Sequence, residues 1–134
     1  MAIGAPCDSG AMDIVRKAAG DLSNKQYYFM KISADNTVTT CAAATDVPCG
    51  VLQNKPAAAN RDAVIRVIGE SYISSDAALT AGDLIGTSAD GQADAKLPGT
   101  DTTEYVVGHV VVGTGAAGDL AIAMVNCAAP ARAA

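Results

Sequence analysis

Ala19-Gly20-Asp21-Leu22, Ala81-Gly82-Asp83-Leu84 and Ala117-Gly118-Asp119-Leu120 are one tetrapeptide written three times, each copy ahead of a stretch that reads as β-strand. The residue types are those of a turn. Glycine reaches the positive φ that a tight turn needs, an Asp carboxylate accepts backbone N–H bonds two residues on, and Leu opens the next apolar stretch. A second echo is Ser33-Ala34-Asp35-Asn36 against Ser88-Ala89-Asp90-Gly91, both with the Asp-Asn or Asp-Gly signature of a hairpin tip. Residues 47–51 match 106–110 loosely, and 62–67 match 119–124, which sets Ile65 against Ile122. The shared order predicts two related β-units of roughly fifty residues each.

The stretches between the turns fit that reading. Residues 26–33 alternate Tyr28, Met30 and Ile32 with Tyr27, Phe29 and Lys31, bulky on both faces. Residues 37–42 carry the β-branched types that suit a pleated surface. Residues 50–53 form a short strand that Pro56 stops, since proline has no N–H for the ladder. Residues 63–73 are the longest β-like run, broken at Gly69. Strands are expected again at 84–86, 92–96, 105–112 and 120–127. The reading is therefore all-β with little helix: a small β-barrel or β-sandwich in residues 25–127, an N-terminal arm in residues 1–24, and a frayed C-terminal tail in residues 128–134. Within 12–19 the apolar positions fit a helical stripe and a strand equally well.

A chain of 134 residues makes one domain, and half of it a marginal core, so the two units should share one interior. With no Trp and a single Phe, that interior rests on Val, Ile, Leu and Ala. Small side chains bury little area each, at roughly 25 cal/mol per Å², which favours burying more between subunits. The formal charge of −5, with Arg16-Lys17 the sole adjacent basic pair, argues against a nucleic-acid surface. No run of 18 apolar residues is present to cross a membrane, and no secretory leader is recognisable. Cys7, Cys41, Cys49 and Cys127 are accordingly expected as reduced thiols, with a Cys41–Cys49 bridge the alternative.

Catalytic chemistry finds few candidates. The only histidine, His109, stands inside the apolar run 105–112, where a strand position with no catalytic role is the plainer reading. The Asp residues mostly flank Gly or Ala and serve turns. There is no Cys-x-x-Cys and no phosphate-cradling Gly-x-x-x-x-Gly-Lys-Ser/Thr loop. Met30-Lys31-Ile32 is similar to the lysine tip of biotin and lipoyl carrier domains, but Lys31 sits within the strand and the turn comes later, at Asp35-Asn36. No enzyme activity, cofactor or metal is expected.

Residues 21–31, containing Gln26-Tyr27-Tyr28-Phe29, and residues 50–58, containing Gly50-Val51-Leu52-Gln53-Asn54-Lys55-Pro56, closely resemble tailed-bacteriophage capsid decoration (cement) proteins. The order of the remaining blocks to about Asn126 is similar. The resemblance implies a small β-barrel or β-sandwich made in the host cytoplasm, attached to the outer surface of the virion, with the major capsid protein as partner and a stabilising role. It carries no site residues over. A homo-oligomer is expected, trimer before dimer. From the residues themselves, Ile3, Met12, Ile14 and Val15 are apolar yet lie outside the repeated units, and they are the expected partner-binding set. The competing reading is a stand-alone β-domain that binds glycan or a host surface; it would need a concave patch with aromatic platforms, whereas Tyr27, Tyr28 and Phe29 sit within one strand, where packing explains them.

Overall fold

A computed structural model describes residues 5–7 and 9–134. Among them there is no helix. Eleven strands follow in order: β1 (Met12–Ala18), β2 (Phe29–Ala34), β3 (Thr37–Thr40), β4 (Gly50–Leu52), β5 (Asp62–Ser74), β6 (Leu84–Thr87), β7 (Ala93–Ala95), β8 (Tyr105–Val106), β9 (Gly108–Val112), β10 (Leu120–Asn126) and β11 (Ala131–Arg132). Nine of them form one sheet in the order β1-β3-β2-β4-β5-β10-β9-β6-β7, and β1 also pairs with β5. That extra pairing closes β1, β3, β2, β4 and the first half of β5 into a ring. On the other side β5, β10, β9, β6 and β7 curl until Ala93 bridges Ser75, immediately after β5. The fold is thus two small five-stranded rings sharing the thirteen-residue strand β5, a barrel solution to the edge-strand problem.

The rings repeat each other pair for pair. Met30 lies opposite Gly50, as Ile85 lies opposite Gly108. Val51 pairs with Arg66 and Arg66 with Asp13, as His109 pairs with Met124 and Met124 with Glu70. Ala18 runs parallel to Val38, as Ser75 does to Ala93. Loop bonds repeat too: Tyr27 donates to the Leu52 carbonyl as Gly82 does to that of Val110, and Asn60 donates to Ala18 as Gly118 does to Ser75. The left-handed residues coincide, with Tyr27, Asn36 and Asn60 standing where Gly82, Gly91 and Gly118 stand in the other ring. Gly50 and Gly108 share a reason to be glycine. A Cβ on either would come within 2.7 Å of the Arg66 carbonyl oxygen or 2.3 Å of that of Met124.

The repeating unit is therefore 12–68 followed by 69–126, and four expectations need correction. First, residues from Met12 on are no arm: β1 is the strand that closes ring one, antiparallel to β5 and parallel to β3. Its counterpart in ring two is the second half of β5. Second, the three Ala-Gly-Asp-Leu copies do not mark equivalent places. Gly82 and Gly118 have φ of 91° and 86° in two different turns of ring two. Their ring-one counterparts are written with other residues. Third, Ile65 corresponds to Ala123 and not to Ile122, because Ile65 lies between Leu52 and Ile14 as Ala123 lies between Val110 and Ser71. Fourth, the C-terminal segment is tied down. Ala131–Arg132 pairs with Tyr105–Val106, the Ala133 amide donates to the Glu104 carbonyl at 3.0 Å, and Ala133 is buried.

Two clusters make the interior. One, inside ring one, joins Ala18, Leu22, Met30, Val38, Leu52, Ala63 and Ile65. The other combines ring-two residues such as Ile73, Leu79, Ile85 and Val110 with Phe29, Cys41 and Val51 from ring one. The two units thus share the second core. At the junction Gly69 takes φ 128°, with its Cβ position 2.9 Å from that of Ala11, so the long strand turns there at a residue that only glycine fills without strain.

Candidate interaction surfaces

Of the expected partner-binding residues, the fold turns Met12 and Val15 one way and Ile14 the other. Ile3 lies outside the described residues. Met12 and Val15 project from β1 and are exposed, Val15 by 52%. Ile14 turns inward and packs against both core clusters, as strand alternation requires for a neighbour of exposed Val15. Val15 thus faces solvent and Ile14 the core, so Met12, Ile14 and Val15 do not share one face.

His109 sits on the outer face of β9, directly between Leu84 of β6 and Met124 of β10. Leu84 and Met124 are each 41% exposed and Val111, two residues along β9 on the same face, 42%. This is an apolar row on the outside of ring two that the sequence reading did not pick out. Its signal was present: Leu84, Val111 and Met124 alternate with buried Ile85, Val110 and Val125, but without the sheet order nothing shows that they meet.

Ionic groups elsewhere have structural partners. The Lys31 ammonium lies 3.0 Å from Asp46, within β2 and away from the hairpin tip. Burial pushes the Asp46 carboxyl up, but N–H donors from Ala42 and Ala43 and the Lys31 charge hold it below its ordinary value. Lys96 is fully buried, hydrogen-bonded to Glu104 and 3.5 Å from Asp94. A buried ammonium persists only where carboxylates answer it, and this one fastens residues 97–104 to the β6–β7 hairpin. Arg66 forks onto Asp13 at 2.8 and 3.0 Å and donates to the Glu70 carbonyl.

All four cysteines are free thiols. Burial pushes Cys41 up to about 12 and Cys49 up to about 11, and raises Cys127 as well. Such thiols resist ionisation and react slowly. Among the described residues no group of three His, Cys, Asp or Glu side chains is placed to hold a metal ion. The aromatics 27–29 make no open platform: Phe29 is buried, the Tyr27 ring meets that of Tyr72 at a 58° tilt with centroids 5.4 Å apart, and Lys25 lies over Tyr28.

The chain matches no protein-family model, and no curated protein matches it. Its fold is that of a solved phage protein. The crystal structure of the head fiber gp8.5 N base of bacteriophage phi29 superposes with a TM-score of 0.63, covering 87% of this chain and 95% of that one at 16% sequence identity.

Proposed function

We propose that this chain is a structural component of a bacteriophage virion, mounted on the outside of the capsid through the major capsid protein, and without a catalytic role. The observation that carries the reading is the fold shared along nearly the whole length of a phage head fiber base. The Gln26–Phe29 and Gly50–Pro56 sequences add to it, since their resemblance is to capsid decoration proteins. On this reading the protein is made in the host cytoplasm and joins the finished shell. Small acidic β-rings held at many lattice points would reinforce the shell by repetition, because linked copies bind a lattice with avidity.

The test is compositional. Purified particles analysed by quantitative mass spectrometry should contain this chain in fixed ratio to the major capsid protein. Adding the purified chain to particles stripped of it should restore that ratio and raise the temperature at which shells release their genome. Absence from particles refutes the virion reading. Presence and rebinding without a change in shell stability refutes the cementing role and leaves a fiber-base role.

A further inference from the structure

The internal repeat shows what covers each ring's outer face, because one of the two rings has that face covered. In ring one the row Phe29–Val51–Arg66 is buried, with Phe29 and Val51 at 0% and Arg66 at 7% exposure. Ring two lies over it. The Phe29 amide donates to the Gly91 carbonyl at 2.8 Å, the Tyr72 ring packs on Tyr27, and Gln53 bonds Ser71 at 2.9 Å. The corresponding row of ring two is Leu84–His109–Met124, with Val111 in the place of Gln53. That row is open to solvent.

The covering elements have open counterparts too. Ring two uses Tyr72, Thr87 and Gly91, and their counterparts in ring one are Val15, Ile32 and Asn36. Val15 and Ile32 are 52% and 53% exposed, whereas Thr87 is 1%. Each chain thus carries one used contact between rings and the two unused halves of a second.

We propose that the Val15–Ile32 face of one copy docks on the Leu84–Val111–Met124 face of another, repeating between chains the contact that joins the two rings within a chain. The steric match supports a second copy as the occupant. Inside the chain Gly91 is pressed on Thr40, whose Cγ2 would stand 2.4 Å from any Cβ. Between copies the larger Asn36 replaces Gly91, and the smaller Ala95 replaces Thr40 on the other side. The contact joins two different faces and is heterologous, so copies add head to tail and close into a ring where the rotation permits. It lacks the shared strand β5 and the Tyr27–Tyr72 ring contact, so it is weaker than the contact within the chain. The inference holds whatever the particle, since it concerns the purified chain alone.

Two double variants test it, Val15→Lys with Ile32→Lys, and Val111→Lys with Met124→Lys. All four positions are exposed, and unchanged far-UV circular dichroism checks the fold. In sedimentation velocity the unaltered chain should give species heavier than 13.4 kDa at high micromolar concentration. Each double variant alone should fall to that mass. Mixed in equal amounts they should give a one-to-one dimer and nothing larger, because each retains the face the other has lost. A monomeric unaltered chain overturns the proposal, as do variants that associate like the unaltered chain. Loss of association without rescue on mixing overturns it as well, pointing to a self-complementary contact. Binding of major capsid protein to these faces in preference to a second copy would do the same.

Discussion

Phe29→Ala and Leu84→Ala alter the same place in two copies of one unit, and the structure sets their costs far apart. Phe29 has no exposed surface and sits in the core that both rings share, whereas Leu84 is 41% exposed. Truncating a buried Phe removes its transfer energy and leaves a cavity, about 3–5 kcal/mol. Truncating Leu84 at an open face leaves solvent-filled space and no enclosed void, so about 1 kcal/mol is expected. At roughly 4 °C per kcal/mol for a chain of this size, Phe29→Ala should lower Tm by about 12–20 °C and Leu84→Ala by about 4 °C. Thermal melts and urea titrations followed by far-UV circular dichroism, at low micromolar protein so that association contributes little, measure the shifts in Tm and the free energies. Equal losses would refute the reasoning, for they would mean that the faces of the two rings are buried alike within one chain.

Glu104→Gln leaves the buried Lys96 ammonium with Asp94 alone and should cost about 3 kcal/mol, read by the same titration; replacing Lys96 by Met and Glu104 by Leu together should restore most of the loss. Asp76 is pushed above its ordinary value of 3.8 by burial first and then by Asp90 and Asp94. Its ionised form therefore opposes folding above the raised pKa, and this penalty disappears as pH falls through that pKa toward 3.8. Asp76→Asn should raise Tm at pH 7, with the gap closing below about pH 4; a gap that persists unchanged at pH 3 would contradict the assignment. Ellman's reagent at pH 8 should label exposed Cys7 quickly, and Cys41, Cys49 and Cys127 only in denaturant. Rapid labelling of more than one thiol in the folded chain would show that the buried ones are reached by solvent.

The all-β class was legible because the strands lie between turn residues whose chemistry is unambiguous, and the hairpin echo at Ser33–Asn36 and Ser88–Gly91 was legible to the residue. Asn36 and Gly91 both adopt positive φ there, and few residue types do so. β1 was hidden for a physical reason. Its counterpart is the second half of β5, and Ile14-Val15-Arg16-Lys17-Ala18 shares no pattern with Ser71-Tyr72-Ile73-Ser74-Ser75. What the two have in common is hydrogen bonding to equivalent strands of their rings, which is a property of backbone and invisible in side chains. The register of β10 was hidden likewise, since the pairing that sets Ala123 between Val110 and Ser71 belongs to the sheet and not to the side-chain types.

The Ala-Gly-Asp-Leu words mislead in an instructive way. Ring two writes its left-handed turn positions as Gly82 and Gly118, while ring one fills the same positions with Tyr27 and Asn60. A Tyr at positive φ is costly, and it persists here because the residue is held: its ring packs at a tilt against Tyr72 of ring two, and its carbonyl accepts from the Ser74 amide at 2.9 Å. Both partners belong to the contact between rings. Where that contact exists the turn carries a large aromatic residue, and where it is absent, at Gly82, the turn relaxes to glycine. The difference between Tyr27 and Gly82 thus follows from a difference in environment. Ring one has a neighbour on its outer face within the chain, and ring two does not.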